Sequence, residues 1–178
     1  NVFYNHSKNI IDWILDTNEG ENAVWTSVNF TKINALGIQG NLSFDFKKML
    51  PSQNILKTFN IAYTYLDQDQ KEVAGIQSKY ALEYLRHKLV GNLQLHIWKS
   101  LDLGINYRYQ DRMGSYTDVD GNVCSYKPYS IVDARLSWNT PQYSFYVEAN
   151  NLFDKTYVDY GNIPQPGTWV MAGASVEF

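Results

Sequence analysis

The chain has 178 residues, a net charge of −3 and a pI near 5.5, which excludes the concentrated basic surface that nucleic acid requires. Aromatic residues make up 15% of it and hydrophobic residues 44%, but they are dispersed, and no run approaches the ~18 apolar residues of a membrane-spanning helix. A single cysteine, Cys124, excludes an internal disulfide framework and any multi-cysteine metal site.

Residues 1–15 have no basic start, no apolar core and no small-residue cleavage site, so no signal peptide is read there. Val2-Phe3-Tyr4-Asn5 already has the character of a strand, and the chain is expected to be a piece of a longer exported protein. After a polar connection at 16–22, residues 23–47 predict one long strand. In it Leu36, Ile38, Leu42, Phe44 and Phe46 face one way, and Gln39, Asn41, Ser43 and Asp45 the other. Beyond a short break at 48–54, Ile55, Phe59, Ile61, Tyr63 and Tyr65 oppose Thr58, Asn60 and Thr64. A long polar stretch at 67–77 leads into a strand over 78–98, with Leu89, Leu93, Leu95 and Ile97 against Lys88, Asn92, Gln94 and His96.

The alternation is cleanest after the turn at Lys99-Ser100. There Leu101, Leu103, Ile105, Tyr107 and Tyr109 oppose Asp102, Gly104, Asn106, Arg108 and Gln110. The connection at 113–127 is long. Val132, Ala134, Leu136 and Trp138 then oppose Asp133, Arg135 and Ser137, before a tight turn at Thr140-Pro141-Gln142. A last long connection at 161–167 precedes Val170, Ala172, Ala174, Val176 and Phe178, which share a face opposite Met171, Gly173, Ser175 and Glu177.

The connections alternate long, short, long, short, long, short, long, which implies eight consecutive antiparallel strands. Outer-membrane barrels have short turns on the periplasmic side and long loops outside. Tyr and Trp gather near strand ends (Trp13, Trp25, Tyr63, Tyr65, Trp98, Tyr107, Tyr109, Trp138, Tyr143, Trp169), as an interfacial girdle requires. The fold class is all-β, an antiparallel transmembrane barrel wall, with the connections at 16, 67, 113 and 161 outside and outer-membrane lipid against the apolar faces. Two alternatives stay open: a complete eight-stranded structural or adhesion barrel, and a soluble all-β binding module.

The final third carries a more specific pattern. Asn150-Asn151-Leu152-Phe153-Asp154-Lys155-Thr156-Tyr157, then Pro166-Gly167, then a closing strand with terminal Phe178, resembles the end of TonB-dependent receptor barrels. The motif residues are Asn151, Leu152, Phe153, Asp154, Lys155, Tyr157, Pro166 and Gly167. Asn29 followed by 33–42 with Gly37 resembles an earlier family segment. Gln39 stands where an acidic residue is usual and Thr168 where a basic one is common.

The resemblance implies the last part of a 22-stranded barrel, with the plug domain, its TonB box and the N-terminal strands outside this chain. It also implies TonB-energised uptake of a small-molecule or glycan substrate (ferric siderophore, haem, cobalamin or glycan), and Phe178 as the signal read by the barrel-assembly machinery. No cofactor and no enzymatic activity are implied.

Arg108, Asp133, Arg135 and Glu148 fall on polar faces of consecutive strands and would face the lumen together. Their reading is a charge ladder that holds register, or a wall that meets the plug or a solute. The loops at 67–77 and 113–127 are the candidate solute contacts. Asp118-Val119-Asp120-Gly121 opens like a calcium loop, but position 12 is Tyr129 rather than glutamate, so the reading is a turn. His6, His87 and His96 have no ligand spacing; His96 is expected to be hydrogen-bonded on the polar face. No serine lies in a nucleophile-elbow motif.

Overall fold

The computed structural model describes residues 1–30, 33–69, 75–78 and 84–177. Its strands in chain order are β1 (Val2–Ser7), β2 (Ile10–Asp16), β3 (Thr26–Phe30), β4 (Ile33–Asp45), β5 (Leu56–Asp69), β6 (Ile76–Ser78) and β7 (Leu85–Trp98). Next come β8 (Leu101–Arg112), β9 (Ser115–Thr117), β10 (Val123–Ser125), β11 (Tyr129–Asn139), β12 (Tyr143–Asn150) and β13 (Trp169–Val176). Eight of them form one antiparallel sheet in the order β1-β4-β5-β7-β8-β11-β12-β13, each beside its neighbour in the chain. This is the eight-strand meander read from the alternation. Among the described residues the sheet is not closed: β1 and β13 each pair on one side only.

Register turns the alternation into two coherent faces. Phe44, Phe59, Leu93, Ile105, Ala134, Ala149 and Val170 form one continuous row across seven strands. Leu95, Leu103, Leu136, Val147 and Ala172 form the next. The opposite face carries Ser43, Asn60, Asn92, Asn106 and Asp133 in one row. A one-residue slip of any strand would exchange the two faces, so a difference in solvent between them enforces register. Strands β4, β5, β7, β8 and β11 have 13, 14, 14, 12 and 11 residues, meeting the ~9–11 that a tilted membrane-crossing strand needs.

Aromatic rings mark both ends of the apolar face. At the short-turn end Trp98 meets Trp138 edge-on at 6.2 Å, Tyr143 meets Phe145 at 5.5 Å, and Phe44 stacks with Phe59 at 6.1 Å. At the long-loop end Tyr65 lies 5.1 Å from His87, whose Nδ1 is 2.7 Å from the Tyr63 hydroxyl. Trp169 departs from the girdle, since it pairs with Asn150 on the polar-face rows.

The long connections are more ordered than the sequence indicates. The strand expected over 23–47 is two, β3 and β4, and ends in a helical turn, α1 (Phe46–Met49), capped by the Asp45 carboxylate. The opening strand also breaks in two, where Asn9 takes a φ of 57°. Its outer half, β2, leaves the main sheet to pair with β3 and with β6, a strand inside the connection expected at 67–77. The strand expected from 78 begins at Leu85 in the main sheet, and residues 79–83 lie outside the described set. Within 113–127, β9 and β10 form a small hairpin.

Candidate functional site

The polar face carries a set of bonded charged side chains. Arg135 and Glu148 are direct register partners, with a 3.5 Å ion pair, and the Arg135 guanidinium lies 3.7 Å from the centre of the Tyr146 ring. Tyr146 itself lies flat over Gly173, where a Cβ would come within 2.5 Å of the ring, so glycine is what lets the ring lie against the wall. The other two charges of the expected lumen group bond elsewhere. Asp133 Oδ1 accepts the Asn151 backbone N–H at 2.8 Å, and Arg108 donates to the Tyr157 hydroxyl at 3.3 Å. At the short-turn end His96 Nδ1 and Lys57 meet the Asp102 carboxylate at 3.0 and 2.9 Å. They line a polar recess of about 620 Å³ with Lys47, Asn54 and Asn139.

The motif at 151–157 is a knot at the base of the last long connection. Asn151 is 4% exposed and holds a φ of 49°. Its amide donates to the Lys155 and Pro166 carbonyls at 2.9 and 3.1 Å, while its Oδ1 accepts the Lys155 N–H at 2.8 Å. Thr168 donates its hydroxyl to the Asn151 carbonyl at 2.6 Å, and its N–H to Asp154 Oδ1 at 2.9 Å. A Cβ on Gly167 would lie 2.3 Å from that Asp154 oxygen, which would have to move and give up its place against the Thr168 N–H. The motif's polar residues thus tie the two stems of the loop together. Phe178 lies outside the described residues.

Above this knot is a cluster that alternation could not reveal. Residues 157–165 close into a small hairpin through the Gln165 N–H on the Tyr157 carbonyl at 2.9 Å. Its first arm lies against the polar face: Tyr157 packs on Tyr129 with ring centres 4.4 Å apart, and Asp159 accepts from the Tyr129 hydroxyl at 2.7 Å. Tyr129 also bonds Gln110. Arg112 lies 3.7 Å from Asp159 and between the rings of Tyr126 and Tyr160, at 5.8 and 5.4 Å. Gly161 donates its N–H to the Tyr126 hydroxyl at 2.9 Å. The signal available beforehand was the density of tyrosine in 126–160, with Arg108 and Arg112 on one face.

In the 113–127 connection the turn reading describes the geometry. Asp118 Oδ1 accepts the N–H groups of Asp120 and Asn122 at 3.0 and 2.8 Å, and Gly121 takes a φ of 84°. The bonds from Asn122 and Asp120 hold the Asp118 carboxyl below its usual range. Burial, then the Asp118 charge, pushes the Cys124 thiol up.

The model of the family described as TonB dependent receptor-like, beta-barrel, matches residues 1–152. The chain belongs to that family. Among solved structures, this receptor-barrel chain is similar to the FrpB iron transporter of Neisseria meningitidis, with 15% identity, a TM-score of 0.66, and coverage of 99% of this chain and 27% of that one. It is similar to the ferric-catecholate import receptor Fiu of E. coli K12, with 20% identity, a TM-score of 0.66, and coverage of 99% and 24%. The siderophore receptor PiuA of Acinetobacter baumannii follows at 18% identity, a TM-score of 0.63, and coverage of 97% and 24%. The receptor-barrel chain therefore spans about a quarter of the length of these structures, and at such identities the likeness is one of fold. No curated protein sequence matches it.

Proposed function

We propose that residues 1–178 are the C-terminal part of the wall of an outer-membrane TonB-dependent receptor. In this reading the plug, the TonB contact and the remaining strands come from the rest of the protein. The family match over 1–152, the open edges of the sheet and the quarter-length coverage support it. The apolar rows face outer-membrane lipid, the polar rows face the lumen, and the long connections are extracellular. Phe178, on this reading, is the signal taken by the barrel-assembly machinery.

The solute is a scarce, anionic, oxygen-rich iron chelate of the ferric siderophore class, ahead of haem, cobalamin or a glycan. The observation that carries this choice is the guanidinium and phenol cluster of Arg108, Arg112, Tyr126, Tyr129, Tyr157 and Tyr160 at the mouth. Fixed cations beside aromatic faces suit an anionic aromatic or carboxylate ligand better than a neutral sugar. The iron and siderophore receptors among the structural neighbours point the same way.

The orientation is tested by cysteine scanning of the whole protein in cells. Single cysteines at Arg108, Asp133, Arg135 or Glu148 should react with small lumen-permeant thiol reagents, whereas those at Leu103 or Ile105 should not. The reverse pattern would refute the assignment of faces. The solute class is tested by iron-limited growth: deleting the whole protein should abolish growth on one ferric siderophore and spare growth on free iron salts.

A further inference from the structure

On β5, β7 and β8 the polar face is charged at its two ends and uncharged between them. Arg108 and Arg112 stand at the long-loop end of β8. Asp102 lies at the short-turn end of the same strand, about 20 Å from Arg108 at ~3.3 Å per residue. Between them the three strands present amides: Asn60, Asn92 and Asn106 are consecutive register partners, and Gln94 donates to Asn92 Oδ1 at 3.3 Å. The charges beside that band are already bonded, Arg135 to Glu148 and Asp133 to the Asn151 N–H.

The short-turn end is not neutralised in this way. Asp102 has both oxygens engaged, Oδ2 by the Lys57 ammonium at 2.9 Å and Oδ1 by His96 Nδ1 at 3.0 Å. All three side chains are half-buried, so the carboxylate holds Lys57 and His96 in place at the wall of the recess. Lys47 and Lys99 border the same space, and Asp102 is the one carboxylate among the lining residues. The Lys99 ammonium lies over the Trp98 ring at 4.6 Å, but Lys47 and Lys57 alone outnumber Asp102. Asp45, which caps α1, is paired with Lys48 at 3.3 Å and does not line the recess. The volume of about 620 Å³ falls within the ~300–1,000 Å³ of small-molecule sites.

We propose that this recess is a second anion site, which takes the carboxylate groups of an anionic solute at the periplasmic end of the wall. The inference rests on the lumen assignment and the anionic solute proposed above. Ammonium groups hold a carboxylate as point charges, and the amide band offers a passing anion no fixed charge between the two ends.

The test is thiol kinetics on the full-length receptor in non-ionic detergent, with Cys124→Ser as background. Asn139→Cys places a thiol on the exposed rim of the recess. Each rate is divided by that of a free small thiol with the same reagent. An anionic methanethiosulfonate should then outpace a cationic one about fivefold at low salt, because local cations concentrate anions. Lys47→Gln and Lys57→Gln should each shrink that ratio about twofold. Citrate, the probe carboxylate, should slow the reaction to a saturable limit at constant ionic strength. Lys57→Gln should remove most of that protection, whereas Arg112→Gln, at the other end of the wall, should leave it intact.

Heat-modifiable migration shows which variants have folded, and Lys47→Gln, on an exposed turn, carries the comparison if Lys57→Gln does not fold. A ratio near one would overturn the site, as would citrate protection unchanged in both lysine variants. A recess filled by an acidic side chain from the rest of the protein would show neither preference nor protection, and would overturn it equally. Citrate protection in a receptor whose deletion spares growth on every ferric siderophore would support the anion site and count against the solute reading, so the two fail separately.

Discussion

The two faces of the sheet are held to different standards. On the apolar face the row from Phe44 to Val170 keeps apolar groups in phase, drawn from Leu, Ile, Val, Ala and Phe. On the polar face the charged groups have particular partners: Arg135 with Glu148 and Tyr146, Asp133 with the Asn151 backbone, Arg108 with Tyr157. On the proposed orientation, lipid would supply a uniform solvent that rewards transfer and nothing else, whereas a polar face enclosed by loops must satisfy its donors and acceptors one at a time. The apolar face is therefore specified by pattern and the polar face by partner.

The largest effect expected from this contrast is a charge placed on the wrong face. Ile105→Arg would bring a guanidinium toward the middle of the apolar rows, where, on the proposed orientation, it should cost about 2–4 kcal/mol of folding free energy in bilayers. Ser137→Arg lies on the opposite face, in register with Asp102 and Tyr146, and should stay within about 0.5 kcal/mol of the parent. Reversible denaturant unfolding in lipid vesicles measures both. Equal costs would mean that the two faces meet the same solvent, which would sink the barrel reading in favour of a soluble sheet.

A smaller, partner-specific effect is expected at Asn151. Asn151→Gly keeps the positive φ but removes the side-chain bonds to Lys155 and Pro166, and should cost about 2 kcal/mol. Asn151→Ala loses the same bonds and adds roughly 1 kcal/mol for left-handed backbone. The same unfolding measurement separates them. An identical cost for the two variants would show that the backbone conformation at this residue contributes nothing.

This division also explains what could be read from the sequence. Strand number and order were legible because a period of two survives any sequence separation, and tight turns such as Thr140-Pro141-Gln142 announce themselves. Placing Arg108, Asp133, Arg135 and Glu148 on one face needed no more than that periodicity. Which of them pair did not follow. The partner of Arg108 is Tyr157, 49 residues away in a loop that has no period to align it. The diversion of β2 onto β3 and β6 was equally hidden, because it depends on one left-handed residue, Asn9, and on a three-residue strand inside a polar stretch. The knot at Asn151 stood out as a motif, yet its work, joining Pro166 and Thr168 to Lys155, appears only when both stems are side by side.

The finest distinction lies outside the sheet, in the hairpin of β9 and β10, where an exposed polar group has specific partners without the help of an enclosed face. The Asp118 carboxyl is held below its usual range by the Asn122 and Asp120 N–H groups. A carboxylate with a lowered folded-state pKa contributes stability that is complete above its unfolded pKa near 3.9 and is lost as pH falls through the lower folded value. The hairpin should thus keep its order at neutral pH and loosen only on strong acidification.

The same charge pushes the Cys124 thiol up and should keep it slow to alkylate at neutral pH. Asp118→Asn removes the charge and should speed alkylation a few-fold at pH 7, with the difference shrinking as pH rises and both thiols ionise. A rate unchanged by the substitution across that range would show that burial alone sets the thiol's reactivity, and that Asp118 serves the turn without reaching its neighbour.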